Sequence, residues 1–421
     1  MRGLASILLG SLALVAVLGC ASGGLPAGGA APAAPESRTS RQLMVTLAPA
    51  PVPFWNRLTV ELAVQHDLRT VFAWSLGSLG ERCIVYETRN NSRKIEEVVE
   101  RMRRDPRVRS VEAIQTFETL ALPEAPPSPR HGDPYANLQR GAHAMGVDQA
   151  HRWATGRGVK VAVIDTGVDL DHPDLRGRIV KANNFVDRGE QTFTNDIHGT
   201  AVAGALAASE GNEVGIAGTA PEAEIFALKA CWPQPAGSRR AICDSYTLAK
   251  AIDFAILEHA QILNFSLAGP SDPLLGRMIK AALDRGIAVV AAAPDGAGPD
   301  FPASVEGVLA VLSSDPDGNL RSPSTSPRAM LAAPGVDILT TVPHGSYDFF
   351  TGSSLAAAEV SGVAALLLER NPKLTPAQLG ALIRKTARPL RLPPGEPDPP
   401  VFLVDACAAV SQVMPGVTCA R

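Results

Sequence analysis

The chain has 421 residues, of which 46 % are hydrophobic and 19 % charged, with a formal net charge of −3. The length allows one large domain plus a smaller one with ample core, and the composition excludes a disordered chain. With no basic excess there is no electrostatic footprint for nucleic acid, and that class of partner is excluded too.

Residues 1–19 carry one positive charge, Arg2, and then an apolar run from Leu4 to Leu18. The run is too short to span a bilayer comfortably and reads as a secretory signal. It ends in Val17-Leu18-Gly19-Cys20-Ala21, which resembles the lipobox of bacterial lipoproteins, whose cysteine is lipidated after cleavage. That resemblance implies an exported protein held at a membrane through Cys20. An ordinary signal followed by an incidental cysteine is the other reading. Residues 20–40 are rich in Gly, Ala and Pro and are expected to be a flexible tether.

Residues 41–121 read as a separate small α+β domain. Gln42 to Leu47 and Cys83 to Thr88 alternate like strands. Ser92 to Arg104 is an amphipathic helix with Ile95, Val98, Val99 and Met102 on one face, stopped by Asp105-Pro106. Val108 to Phe117 reads as one further strand. Residues 122–140 are a linker, exposed where Pro123, Pro126, Pro127, Pro129 and Pro134 crowd together.

From Gly141 to the C-terminus strands alternate with helices. Strands are expected at Val159–Ile164, Ile225–Ala230, Ile262–Leu267, Ile287–Ala293 and Val308–Leu312. Helices are expected at His198–Ala208, Tyr246–His259, Pro273–Arg285 and Ala377–Ala387. The continuous apolar run of Val159–Ile164 suits a strand buried on both faces. The pattern predicts a doubly wound, mostly parallel α/β domain, whose ligands bind at the carboxyl ends of the strands.

One stretch organises the rest: Phe349 to Asn371, FFTGSSLAAAEVSGVAALLLERN. Its turn, Thr351-Gly352-Ser353-Ser354, leads onto a buried helix, and a helix N-terminus offers unpaired N–H groups and a positive dipole end. That place suits a nucleophile whose reaction develops an oxyanion. It equally suits a plain N-cap serine at 353 or 354. Asp165 follows the strand VAVI, and His198 opens HGTAVAG. A serine nucleophile needs a base, and the base needs a carboxylate to fix its tautomer; Asp, His, Ser is one known order for this machinery.

These motifs resemble the subtilases, the subtilisin-like serine proteases. VAVIDTGVDLDHPDL (161–175) is similar to the family's aspartate motif, and HGTAVAG (198–204) to its histidine motif, with Ala201 where a second histidine is common. TGSSLAAAEVSG (351–362) is similar to GTSMAAPHVAG, with Ser353, Ala358 and Glu359 in place of threonine, proline and histidine. ILNFSLAG (262–269) resembles the strand that ends in SLGG and binds substrate. The resemblance implies an endopeptidase in which Ser354 attacks, His198 is base and then acid, and Asp165 orients His198. Peptide substrate would pair with Ser266, Leu267 and Ala268. Residues 41–121 would be an inhibitory propeptide, the chain's own partner, and the enzyme a monomer needing no cofactor for its chemistry.

The family supplies an asparagine donor to the oxyanion hole from AAAGN. This chain reads Ala291-Ala292-Ala293-Pro294-Asp295-Gly296, so that Asp295 takes the asparagine's place or a deletion has removed it. An ionised carboxylate cannot donate a hydrogen bond, and losing this donor costs about 10²–10³ in kcat, a magnitude that derives from subtilisin itself. Asp174 and the loop containing Asn212 resemble pieces of a family calcium site, with a plain turn as the other reading. With Cys20 given to lipid and Cys83 to the removable unit, neighbouring spacing suggests disulfides Cys231–Cys243 and Cys407–Cys419; other pairings stay open. Two rival functions are a binding protein on a degenerate subtilase fold and an aspartic protease, whose signature Asp165-Thr166-Gly167 also matches.

Overall fold

The computed structural model describes residues 41–89, 95–120, 135–186, 191–234, 238–321, 330–390, 401–414, 416 and 419. The signal, Cys20 and the tether lie outside the described residues, as does the Pro-rich stretch 121–134. The chain divides into residues 1–37 and one compact unit, 38–421, which holds everything described below.

The N-terminal part is an antiparallel sheet in the order Leu68–Leu76, Glu81–Thr88, Gln42–Leu47, Val108–Ala113. Helices Val52–His66 and Ile95–Arg103 cover one face. Leu43, Val45, Leu47, Ile84 and Tyr86 point into a core with Trp55, Leu58, Leu62, Val98 and Met102. Strand side chains alternate, so Met44, Cys83 and Val85 point the other way, where they join a core shared with Leu274 and Met278. Both faces of Gln42–Leu47 are therefore covered, although its sequence alternates like a half-exposed strand.

The expected single strand Val108–Phe117 is two strands. It breaks at Ile114, whose N–H still bonds Gln42 O at 3.1 Å, while the Gln115 N–H crosses to Ser245 Oγ at 2.9 Å. Beyond the break, Thr116–Thr119 joins a different sheet, lying between Ala241–Asp244 and Leu267–Ala268. The last residues of the expected linker are the part of it that is described. Tyr135–Leu138 forms a 3₁₀ turn and Arg140–Ala144 a short helix. Tyr135 is tied down by its N–H to Gly215 O, at 2.6 Å, and by its ring against Tyr347.

The main sheet has nine strands in the order Arg388–Pro389, Val401–Leu403, Met330–Pro334, Leu309–Ser314, Ala288–Ala292, Ile262–Phe265, Lys160–Asp165, Glu224–Lys229, Ile179–Asn184. All neighbours are parallel except the Arg388–Pro389 edge. Val161 and Val163 face a core with Val202, Leu206, Leu355 and Val360; Ala162 and Ile164 face the opposite core with Ile252, Leu263 and Met278. Helices thus cover both faces, as the doubly wound expectation requires. The Ser353–Arg370 helix is buried from Ser353 to Leu368, and its small residues let it run close against the sheet.

The N-terminal sheet is fastened to the α/β part by named contacts. Asp253 Oδ1 accepts the Ser78 N–H at 2.8 Å, and Asp253 Oδ2 the Gly77 N–H at 3.2 Å. Arg277 makes a two-pronged pair with Glu81 at 2.8 and 3.1 Å. Tyr246 stands edge-on to Phe72 and Trp74. Both expected disulfides form, Cys231–Cys243 and Cys407–Cys419, and Cys83 is free and buried.

Candidate active site

Three elements end at one place. Asp165 closes the Lys160–Asp165 strand, His198 lies in the first turn of Ile197–Ala207, and Ser354 in the first turn of Ser353–Arg370. Asp165 Oδ1 accepts the Thr166 N–H at 2.6 Å and faces His198 Nδ1 at 2.7 Å. His198 Nε2 lies 3.2 Å from Ser354 Oγ. All three side chains are buried. The close approach of the Asp165 turn to the histidine helix needs glycine at 199, where a Cβ would sit 2.5 Å from Gly167 O.

Neither serine caps its helix. Gly352 is the N-cap, with no side-chain cap bond, and Ser353 Oγ is buried with no hydrogen-bond partner among the described residues. The Ser354 backbone is held from behind. Ser266 Oγ donates to Ser354 O at 3.0 Å, Asn264 Nδ2 donates to Ser266 Oγ, and Ser361 Oγ donates to Asn264 Oδ1. Asn264 and Ser361 are supporting residues that sequence reasoning missed, because each looks like a polar residue in an apolar run.

The segment Thr116–Leu120 occupies the cleft. It pairs antiparallel with Ala241–Asp244, setting Phe117 opposite Cys243 and Glu118 opposite Ile242. On its other side Thr119 stands opposite Leu267 and Glu118 opposite Ala268. The Leu120 N–H bonds Ser266 O at 3.3 Å. Ser266, Leu267 and Ala268, the expected substrate strand, are thus the residues that hold this segment. The Leu120 carbonyl accepts from Ser354 Oγ at 2.7 Å and faces the Ser354 N–H at 3.4 Å. Phe117 is fully buried against Phe301, over Gly269, where a Cβ would lie 2.2 Å from its ring. Sequence reasoning missed this occupancy. Its one signal is that TFETL, with a strand's polar residues around Phe117, ends where the Pro-rich stretch begins.

Asp295 is engaged by a neighbouring charge. Its carboxylate meets Arg321 Nη1 at 2.6 Å, and among the described residues the hydrogen bonds of the Leu120 carbonyl come from Ser354. An opposite charge within reach has claimed the side chain. Burial pushes its carboxyl above the usual range, and Arg321 opposes that.

The residues of the expected calcium site are hydrogen-bonded to one another. Asp174 Oδ1 accepts from Asn212 Nδ2 at 2.7 Å; Asp174 Oδ2 accepts from the Ile216 N–H and the Tyr347 hydroxyl, each at 2.9 Å. Asn212 Oδ1 is taken by the Val214 N–H at 3.0 Å, which fixes the amide's orientation. The carboxylate therefore meets three hydrogen-bond donors, where calcium needs a shell of oxygens, and as arranged these residues do not fit the ion. Among the described residues no group of three or more His, Cys, Asp or Glu is placed to hold a metal.

Residues 156–401, more than half of the chain, match the model of the subtilase family. The intracellular serine protease of Paenibacillus polymyxa is 37 % identical over 60 % of this chain and 81 % of its own length. Thermitase from Thermoactinomyces vulgaris is 35 % identical over 61 % of this chain and 90 % of its own length. Among solved structures, fervidolysin from Fervidobacterium pennivorans, described as a keratinolytic enzyme related to subtilisin, aligns with a TM-score of 0.72 at 24 % identity. That alignment covers 89 % of this chain and 61 % of the other, and likeness at this identity speaks for the fold alone. The motif order, the parallel sheet and the family match agree: the chain belongs to the subtilase family and is a serine-type endopeptidase.

Proposed function

We propose that the chain is the precursor of an exported endopeptidase that cuts itself after Leu120, using Asp165, His198 and Ser354. The observation that carries this reading is the Leu120 carbonyl, held by the Ser354 hydroxyl and facing its N–H. The Ser354 hydroxyl turns its hydrogen from the Leu120 oxygen to His198 Nε2, 3.2 Å away, and Oγ attacks the Leu120 carbonyl carbon as His198 takes that proton. Asp165 holds the imidazole's tautomer and stabilises its cation. The carbonyl oxygen gains negative charge beside the Ser354 N–H, at the positive end of the Ser353–Arg370 helix. Collapse breaks the C–N bond after Leu120, and His198 gives its proton to the leaving amine. Water, deprotonated by His198, then hydrolyses the acyl ester and frees Ser354. Other protein substrates would follow the same course once residues 41–120 have left the cleft.

Expression of the wild type and Ser354→Ala in a protease-free host tests the reading. Intact mass and N-terminal sequencing should find a wild-type chain beginning at Ala121 and a single uncut mutant. An uncut wild type, or a mutant cut at the same bond, overturns it. The N-terminal segment is proposed to direct export and to anchor the protein through lipid on Cys20. Cys20→Ser should then move the protein from the membrane fraction to the soluble one, and an unchanged distribution would remove the anchor.

A further inference from the structure

In the cleft, one backbone pair is completed by a side chain of the occupying segment. The ladder between Thr116–Thr119 and Ala241–Asp244 runs from Thr116 opposite Asp244 to Glu118 opposite Ile242 and goes no further. At the next position the Ala241 N–H donates to Thr119 Oγ1 at 3.0 Å, and the same hydroxyl faces Ala241 O at 3.4 Å as donor. Both residues are buried, Thr119 at 6 % exposure and Ala241 at 2 %. The threonine hydroxyl thus does for Ala241 what a partner strand's backbone does elsewhere. It can, because a hydroxyl is donor and acceptor at once.

Ala241 has little freedom to find another partner. It opens a short strand that pairs with Cys231–Pro233 on its far side, and the Cys231–Cys243 disulfide staples the two together. A substrate residue without a hydroxyl would leave a buried N–H unpaired, and sites built to hydrogen-bond a hydroxyl discriminate strongly against analogues that lack it.

We propose that the Ala241 backbone makes this endopeptidase selective for threonine or serine at the residue preceding the one whose carbonyl is attacked. This rests on the reading that Leu120 supplies that carbonyl, and it narrows the substrate class to chains with a β-hydroxyl next to the cleavage residue. Valine has nearly threonine's shape and no hydroxyl, while serine keeps the hydroxyl and loses the methyl. The pair therefore separates hydrogen bonding from size.

The test is hydrolysis of four p-nitroanilides, Phe-Glu-Xaa-Leu with Xaa as Thr, Ser, Val or Ala, by the processed wild-type enzyme, with Ser354→Ala as blank. The Thr and Ser peptides should both exceed the Val and Ala peptides in kcat/KM by about fivefold or more. A Val peptide within fivefold of the Thr peptide, or cut as fast as the Ser peptide, overturns the selectivity and leaves the endopeptidase reading intact. No hydrolysis of any peptide above the blank overturns both. Because only the substrate changes, no failure of an enzyme variant to fold can imitate either result.

Discussion

Asp295 Oδ2 meets Arg321 Nη1 at 2.6 Å, with both side chains less than one quarter exposed. Burial alone would drive this carboxyl to hold its proton, and Arg321 limits that rise. Arg321→Ala should therefore destabilise the protein by about 1–3 kcal/mol at neutral pH, by leaving a half-buried charge unpaired. Asp295→Asn in the same background should restore much of the loss. Because the carboxylate is committed to Arg321, Asp295→Asn alone should change kcat by less than tenfold. A rise on the 10²–10³ scale known for this donor in subtilisin itself would show that the side chain serves the oxyanion after all.

Glu359 is wholly buried in the Ser353–Arg370 helix, with the Thr219 hydroxyl 3.4 Å away, and desolvation pushes its carboxyl up to about 8. A carboxyl whose pKa is raised on folding binds more protons in the folded state between its two pKa values. Stability therefore falls as pH rises from about 4.5 to about 8, and is flat in this group's contribution beyond. The loss is on the order of a few kcal/mol. Glu359→Gln should flatten the fall, so that wild type and mutant differ little at pH 5 and the mutant melts higher at pH 9. Parallel melting curves at both pH values would refute this.

Tyr347 supplies one of the three donors on Asp174. Tyr347→Phe removes that hydroxyl and should cost about 1–3 kcal/mol, read as a lowered melting temperature. Since the carboxylate is already satisfied within the chain, EGTA should leave the wild-type melting temperature unchanged, and added calcium should not rescue Tyr347→Phe. A fall in EGTA, reversed by calcium, would mean that the loop rearranges around an ion.

The Cys231–Cys243 disulfide backs the outer wall of the cleft. Replacing both cysteines by serine should lower stability by about 2–4 kcal/mol. A looser wall weakens substrate pairing more than it disturbs His198 or Ser354, so KM for peptides should rise more than kcat falls. A lowered kcat with KM unchanged would place the wall's role in the chemical step.

How much of this was legible in the sequence varies with distance along the chain. The doubly wound fold was readable because each strand and helix announces itself locally, as Val161 to Ile164 does by being apolar without a break. That Asp165, His198 and Ser354 come together at one edge of the sheet was readable because each sits in a short motif of small residues that the close approaches demand. The break after Val108–Ala113 was not, because VRSVEAIQTF is one good strand by propensity; what divides it is Ser245, 130 residues away. Arg321 and Tyr347 escaped for the same reason. Asp295 and Asp174 were visible as carboxylates, but the partners that decide their roles come from distant loops.

The fastenings of the N-terminal sheet have a kinetic consequence. Asp253, Arg277 and Tyr246 hold residues 72–81 through contacts that a cut after Leu120 leaves intact. If the chain cuts itself as proposed, then before the cut Thr116–Leu120 is presented to the cleft by its own chain, at the millimolar or higher effective concentration of a tethered ligand. Afterwards it is held as one half of an ordinary bimolecular complex, and mass action governs its departure. On the proposed reading, cleavage and the onset of activity are then separate events. The first should proceed at a rate indifferent to protein concentration, while the fraction of enzyme set free in the second should rise on dilution.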